Sequence, residues 1–233
     1  MAEGELIRTG IAGLDNILRG GFPQGNVLLL EGAAGTGKTL LGLEFIYRGI
    51  TEYGEPGLAV TFEVAPRKLI RDAAAFGWDF EGLQQQNQLK LIFTSPQVLS
   101  QELRSPDSLL LEAAAQMGAQ RIFIDGISLL RTVSTQVNGT NGEETNDTGS
   151  YRQILQLLLE CLQRENLTAV LSHEATSVAQ QAFALEVTEF LCDTVIVLRR
   201  EQNRRGSRRS LEVIKSRGQD FDAGRHTLRI TAG

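Results

Sequence analysis

This sequence predicts an α/β protein with a largely parallel sheet. Short apolar strand patterns alternate with helical patterns over most of the chain. A glycine-rich loop, Gly32-Ala33-Ala34-Gly35-Thr36-Gly37-Lys38-Thr39, lies between one such strand and the helix after it. Near the C-terminus the apolar period becomes two around a polar, Gly-containing turn, the mark of an antiparallel hairpin.

The expected parallel strands are Asn26–Leu30, Leu58–Phe62, Leu89–Phe93, Arg121–Asp125 and Leu167–Ser172, each a short run of branched or aromatic side chains. Helical spacing of apolar residues predicts helices over Leu40–Glu52, Arg67–Phe76, Ser108–Met117 and Tyr151–Arg164. Thr194–Arg199 and Ser210–Lys215 form the predicted hairpin, and Thr227–Ile230 is a short strand that extends it. Thr132–Ser150 is rich in Thr, Asn and Gly with few apolar residues, and reads as a long mobile loop. No internal repeat is visible, so residues 1–233 are expected to form one domain.

With 42% hydrophobic and 22% charged residues, composition is that of a soluble globular protein. The longest apolar runs, such as Val27–Leu30, are far too short to span a bilayer. No basic stretch leads into an apolar one at Met1, so no signal peptide is expected. Cys161 and Cys192 lack metal-ligand or C-x-x-C spacing and read as buried free thiols, which makes the cytoplasm the expected compartment. Net charge is −5, against gross binding to nucleic acid, but the distribution is uneven. Residues 199–217 hold eight cations against Glu201 and Glu212, a net +6 that leaves −11 on the remainder.

The chemistry is concentrated at strand ends. Gly32 to Thr39 is a complete G-x-x-x-x-G-K-T phosphate-binding loop between strand and helix. Its glycines let backbone N–H groups, on to Leu40, curl round phosphates at a helix N-terminus. Lys38 is placed to reach β- and γ-phosphate oxygens, and the Thr39 hydroxyl to hold Mg²⁺. Asp125 closes an apolar strand in the Walker B manner, with its carboxylate holding Mg²⁺ through water. Glu63 follows Phe62 and is a candidate to polarise an attacking water. Ser172, His173 and Glu174 end the next strand, where a polar group such as Ser172 can sense the γ-phosphate. These residues imply binding of a nucleoside triphosphate. For the basic hairpin three readings stand: a solvated turn, a subunit interface that supplies Arg fingers, and a nucleic-acid surface. The last is weakened by the absence of aromatic side chains for base stacking.

Together the motifs resemble the KaiC branch of the RecA-like ATPases. Thr9-Gly10-Ile11-Ala12-Gly13-Leu14-Asp15 with Gly20-Gly21-Phe22-Pro23-Gln24-Gly25 is similar to that branch's approach to the phosphate loop. So are Glu55-Pro56-Gly57 through Glu63, Phe76-Gly77-Trp78-Asp79, Glu189-Phe190-Leu191-Cys192-Asp193 and Lys215-Ser216-Arg217-Gly218. The resemblance implies a RecA-like core that assembles into a homo-oligomeric ring, commonly a hexamer, with ATP between neighbours. It makes Glu63 the water-activating carboxylate, and gives Lys215 and Arg217 the γ-phosphate of the adjacent subunit's ATP. A regulatory protein partner is a further implication, whereas membrane and nucleic-acid partners are not expected.

Two departures qualify the resemblance. The family usually has two successive glutamates after the second strand, where this chain has Glu63 then Val64, so slow turnover is expected. The 132–150 loop is longer and more polar than the family connection. No clock role follows, because autokinase activity in that family belongs to a second copy of the domain. The expected function is a slow, Mg-dependent regulatory ATPase. Its rivals are a nucleotide-gated scaffold with negligible hydrolysis and a recombinase-like DNA-binding ATPase. Glu143, Glu144 and Asp147 in the loop, with no cation after Arg131, disfavour the last.

Overall fold

Alternation along each strand decides which face of the sheet a side chain covers. On one face Leu28, Leu30, Ala59, Phe123, Val170 and Ile196 belong to one buried cluster; on the other Val27, Leu29, Leu58, Val60, Ile122, Ile124, Ala169, Leu171 and Val195 belong to a second. Both faces are therefore covered, which is why these strands read as continuous apolar runs.

In the computed structural model, residues 6–105, 108–133, 148–174, 188–203 and 206–231 are described. The elements are β1 (Leu6–Ile7), α1 (Leu14–Ile17), β2 (Phe22–Pro23), β3 (Val27–Gly32), α2 (Lys38–Tyr53), β4 (Gly57–Thr61), α3 (Pro66–Ala74), α4 (Phe80–Gln85) and β5 (Leu89–Phe93). There follow α5 (Pro96–Glu102), α6 (Leu109–Met117), β6 (Arg121–Asp125), a 3-10 turn (Ile127–Leu130), α7 (Thr148–Arg164), β7 (Thr168–Glu174), β8 (Thr194–Asn203), β9 (Gly206–Ser216) and β10 (Arg225–Leu228). Eight strands form one sheet in the order β10-β9-β8-β3-β7-β6-β4-β5. The run from β8 to β5 is parallel, and β8-β9-β10 is antiparallel.

The predicted parallel strands and the hairpin are present, the hairpin longer than expected. Short helices α4 and α5 were not anticipated, although each has a legible cap. Asp79 accepts from the Gly82 N–H, and Ser95 from the Val98 N–H ahead of Pro96. The expected loop over Thr132–Ser150 is too wide at both ends: Thr132 and Val133 are helical, and α7 begins at Thr148. Residues 134–147 lie outside the described part.

Helix α2 approaches β6 closely because two glycines face it. A Cβ on Gly42 would stand 2.1 Å from the Phe123 ring, and one on Gly49 would stand 2.3 Å from Arg121 Cδ. Arg121 is fully buried at the start of β6. Its guanidinium pairs with Glu55, donates to the Phe45 carbonyl at 3.0 Å and the Arg8 carbonyl at 2.7 Å, and lies 4.5 Å from the Phe45 ring centroid. A buried cation needs this full set of partners. Gly49→Ala should therefore displace it, costing about 2–3 kcal/mol and lowering Tm by roughly 5–10 °C. Thermal unfolding with an unchanged Tm would show that helix and cation are not in contact.

Candidate functional site

The carboxyl ends of β3, β4, β6 and β7 converge on one crevice, the place where open α/β sheets bind ligands. After Gly32 the chain turns through the loop into α2, with Gly35 at φ 75° and Gly37 at φ 111°. Both angles suit glycine and strain other residues. Gly37 is the N-cap of α2, so the first backbone N–H groups of Lys38, Thr39 and Leu40 face the crevice without a side-chain cap. The Thr36 hydroxyl donates to the Ala33 carbonyl at 2.9 Å and closes the loop.

Lys38 is buried and folds back along the loop. Its Nζ donates to the carbonyls of Gly32 at 2.6 Å and Ala33 at 3.0 Å. Burial holds its pKa below the usual lysine value, against the opposing pull of Glu174, Asp125 and Glu31. The Thr39 hydroxyl donates to Asp125 Oδ2 at 2.8 Å, while Asp125 Oδ1 accepts from the Ser172 hydroxyl. Ser172 in turn accepts from the Gly126 N–H at 2.8 Å. Thr39, Asp125 and Ser172, from three separate elements, thus meet at one point. Hard oxygen donors that leave room for water and phosphate suit Mg²⁺, so Thr39 and Asp125 are the residues that would hold it. No cluster of three acidic, His or Cys ligands occurs among the described residues, and a phosphate-bound Mg²⁺ needs none.

Ala34, Gly35, Gly37, Lys38, Thr39, Leu40, Glu63, Val64, Asp125, Gly126, Ser172 and Glu174 line a cavity of about 380 Å³. Glu63 lies two residues beyond the end of β4 and is exposed at its mouth. Gly37 and Leu40 also line a second cavity, of about 640 Å³, whose wall includes Glu44, Phe76, Trp78 and Thr227 to Thr231. The two cavities meet at the N-terminus of α2.

Lys215 and Arg217 are not part of this crevice. β9 runs antiparallel to β8, so Ser216 lies level with Thr194 and Leu28, whereas Gly32 lies level with Leu198. That is four residues of strand, roughly 13 Å, toward the opposite edge of the sheet. There Lys215 Nζ donates to the Glu189 and Cys192 carbonyls, both at 2.7 Å, and Arg217 donates to the Phe190 carbonyl at 2.6 Å and lies 3.7 Å from Asp193.

Against the full length of the described fold, residues 7–233 match the family model "ATPase: KaiC". The chain belongs to the KaiC family of ATPases. It is 34% identical over 230 residues to the circadian clock oscillator protein KaiC of Parathermosynechococcus lividus, covering 96% of this chain and 40% of that protein. The Nostoc KaiC is 32% identical over 233 residues, covering 97% and 43%. The chain thus spans less than half the length of these relatives. A KaiC-like protein of Pyrococcus horikoshii superposes with a TM-score of 0.79 at 28% identity, covering 98% of this chain and 96% of that one. The RecA-like, nucleotide-binding fold expected of the family is present. No helix among the described residues is long and apolar enough to cross a membrane.

Sequence reasoning named His173 at the strand end but missed Glu31 and the pairing of the two beneath the loop. Glu31 and His173 are register partners on β3 and β7, so they share a face, and both are buried. Among the described residues, Glu31 Oε2 and both His173 ring nitrogens lack a hydrogen-bond partner. Burial, reinforced by Glu189 and opposed by Arg199 and Lys38, pushes the Glu31 carboxyl up to about 7. Burial, with the positive charges of Arg131 and Lys38, pushes His173 down to about 4. Both thiols are free and buried, and burial pushes Cys192 up to about 12, which makes it unreactive.

Unfolded Glu31 releases its proton near pH 4.5 but the folded group holds it to about pH 7. The native state binds the extra proton in that window, so this group's contribution to stability falls as pH rises through it. Glu31→Gln should leave stability unchanged at pH 4 and raise it at pH 8 by on the order of 2–3 kcal/mol. Denaturant melts at the two pH values check this; destabilisation at pH 8 would mean the carboxylate is held by a partner.

Proposed function

We propose that this KaiC-family chain is a cytoplasmic, Mg-dependent ATPase that forms a homo-oligomeric ring and hydrolyses ATP slowly, in a regulatory role. The observation that carries the reading is the meeting of Thr39, Asp125 and Ser172 beside Lys38, with Glu63 at the mouth of the same cavity. In this reading the N–H groups of Gly32 to Leu40 hold the phosphates. Lys38 leaves the Gly32 and Ala33 carbonyls for the β- and γ-phosphate oxygens. Thr39 and Asp125 would hold Mg²⁺, which would supply positive charge beside the phosphates. The nucleoside end extends past Gly37 and Leu40 into the 640 Å³ cavity.

Glu63 orients the attacking water. Val64, beside it, offers no second carboxylate, and this is the reason for slow turnover. Lys215 and Arg217, at the far edge of the sheet, supply charge to a neighbour's γ-phosphate, so hydrolysis depends on assembly. Nucleotide state then sets ring conformation and the binding of a regulatory protein partner. The clock role in the relatives' names belongs to proteins more than twice this length, and is not extended to the chain. Val64 also favours a second reading, a nucleotide-gated scaffold that barely hydrolyses.

Two measurements separate the readings. Phosphate release from ATP should fall about 100-fold or more in Glu63→Gln while ATP binding persists. Negligible release by the wild type, with ATP bound, would leave the scaffold. Arg217→Ala should likewise cut turnover about 100-fold or more in assembled protein, and wild-type turnover per chain should climb with protein concentration. Turnover that is independent of concentration and indifferent to Arg217 would remove the neighbour from the chemistry.

A further inference from the structure

The basic hairpin has two parts, a base that carries Lys215 and Arg217 and a body that carries Arg200 and Arg209. In the body of the hairpin, Arg200 on β8 and Arg209 on β9 are direct cross-strand partners. Like charges directly opposite each other destabilise a ladder. Other arginines in this region have acids close by: Arg199 is 3.5 Å from Glu212, and Arg225 is 3.0 Å from Glu201. Among the described residues, no carboxylate lies within ion-pair distance of Arg200 or Arg209.

Both guanidinium groups are directed at the phosphate-binding loop of their own chain. Nε and Nη2 of Arg209 each stand 3.4 Å from the Gly35 carbonyl oxygen, long for hydrogen bonds. An Nη atom of Arg200 lies 3.6 Å from where a Gly35 Cβ would stand, and its Nε is anchored by the Ser207 hydroxyl at 2.7 Å. A distant neutral carbonyl for Arg209 and one neutral hydroxyl for Arg200 are poor partners for two facing cations. An anion at the loop would satisfy both, and guanidinium groups bind phosphate oxygens through paired N–H donors.

We infer that Arg200 and Arg209 form a guanidinium clamp on the phosphate chain of the nucleotide bound by their own subunit. This rests on the phosphate-loop reading above and extends it by assigning two binding residues in cis. The clamp is separate from Lys215 and Arg217, which lie at the other edge of the sheet. It also gives a reason for the like-charge pair: the repulsion is relieved when nucleotide enters, so phosphate binding is coupled to the conformation of the hairpin.

The test is calorimetric titration of the full chain with ATP and with ADP, at low and high salt, for wild type, Arg200→Ala, Arg209→Ala, the double Ala variant and the double Lys variant. Each Ala change should weaken ATP binding about tenfold, the scale of one lost charge-assisted hydrogen bond. The Lys pair should recover part of the loss, and the salt dependence should shrink in the Ala variants. Without nucleotide, Tm of the Ala variants should equal or exceed that of wild type, while the ATP-induced rise in Tm shrinks. A lower Tm with an intact ATP-induced rise would make the arginines a brace and overturn the clamp. ATP and ADP affinities within twofold of wild type in the double Ala variant, with binding lost in Lys38→Ala, would overturn the clamp and leave the phosphate loop standing. Tight binding retained by Lys38→Ala would overturn both.

Discussion

The close approach of α2 to β6 is the constraint on which the site depends. Thr39 meets Asp125, Gly42 meets Phe123 and Gly49 meets Arg121, three contacts along one line with helix and strand running in opposite directions. From 39 to 49 the helix advances about 15 Å, and from 125 to 121 the strand covers about 13 Å, so the two elements stay in step. Positions 39, 42 and 49 share one helix face. Only glycine at 42 and 49 lets that face lie flat, and the buried Arg121 with Glu55 anchors its far end. The hydroxyl and the carboxylate proposed to share Mg²⁺ are therefore brought together by packing that extends the length of the helix, away from the phosphates themselves.

Strand polarity then sorts the remaining groups. Parallel strands β3, β4, β6 and β7 deliver Lys38, Glu63, Asp125 and Ser172 to one edge, because the first three follow or end their strands and Ser172 lies two residues from the end of β7. The antiparallel return of β9 delivers charge to both edges at once. Residues near its start, such as Arg209, lie over the chain's own loop, and those at its end, Lys215 and Arg217, lie at the opposite edge. In the proposed ring, one basic segment would in this way serve two nucleotides.

Much of this was legible in the sequence, because the strands are buried on both faces and the loop glycines are required by backbone geometry. Apolar runs located β3 to β7, and the motif located Lys38, Thr39 and Asp125. The short helices α4 and α5 escaped because six or seven residues hold too few turns to show a period, although Asp79 and Ser95 marked their starts. Arg121 was invisible as a core residue: a lone cation at the head of a strand reads as exposed, and its partners come from Glu55, Phe45 and Arg8, far off in sequence. His173 was legible as a strand-end polar group, but its pairing with Glu31 was missed for the same reason, since strand register decides it. The split of the hairpin arginines between two edges likewise required the pairing of β9 with β8.

The electrostatics of the crevice give the hairpin its significance. Glu63, Asp125 and Glu174 line the phosphate cavity with Lys38 as its only cation among the described lining residues, and Glu31 is buried directly behind. A polyanion entering such a cavity meets repulsion that backbone N–H groups and one lysine do not offset alone. In the proposed reading, Mg²⁺ held by Thr39 and Asp125 would remove part of it. The rest must come from cations outside the cavity lining, and the described fold offers two such sources. Arg200 and Arg209 lie over the loop of the same chain; Lys215 and Arg217 are directed away, toward where the proposed ring would put another subunit's nucleotide. In the proposed ring, binding in cis and turnover in trans would be separate electrostatic tasks. On that proposal, a chain with a single acid at Glu63 would hold ATP through the first and remain slow until assembly supplied the second.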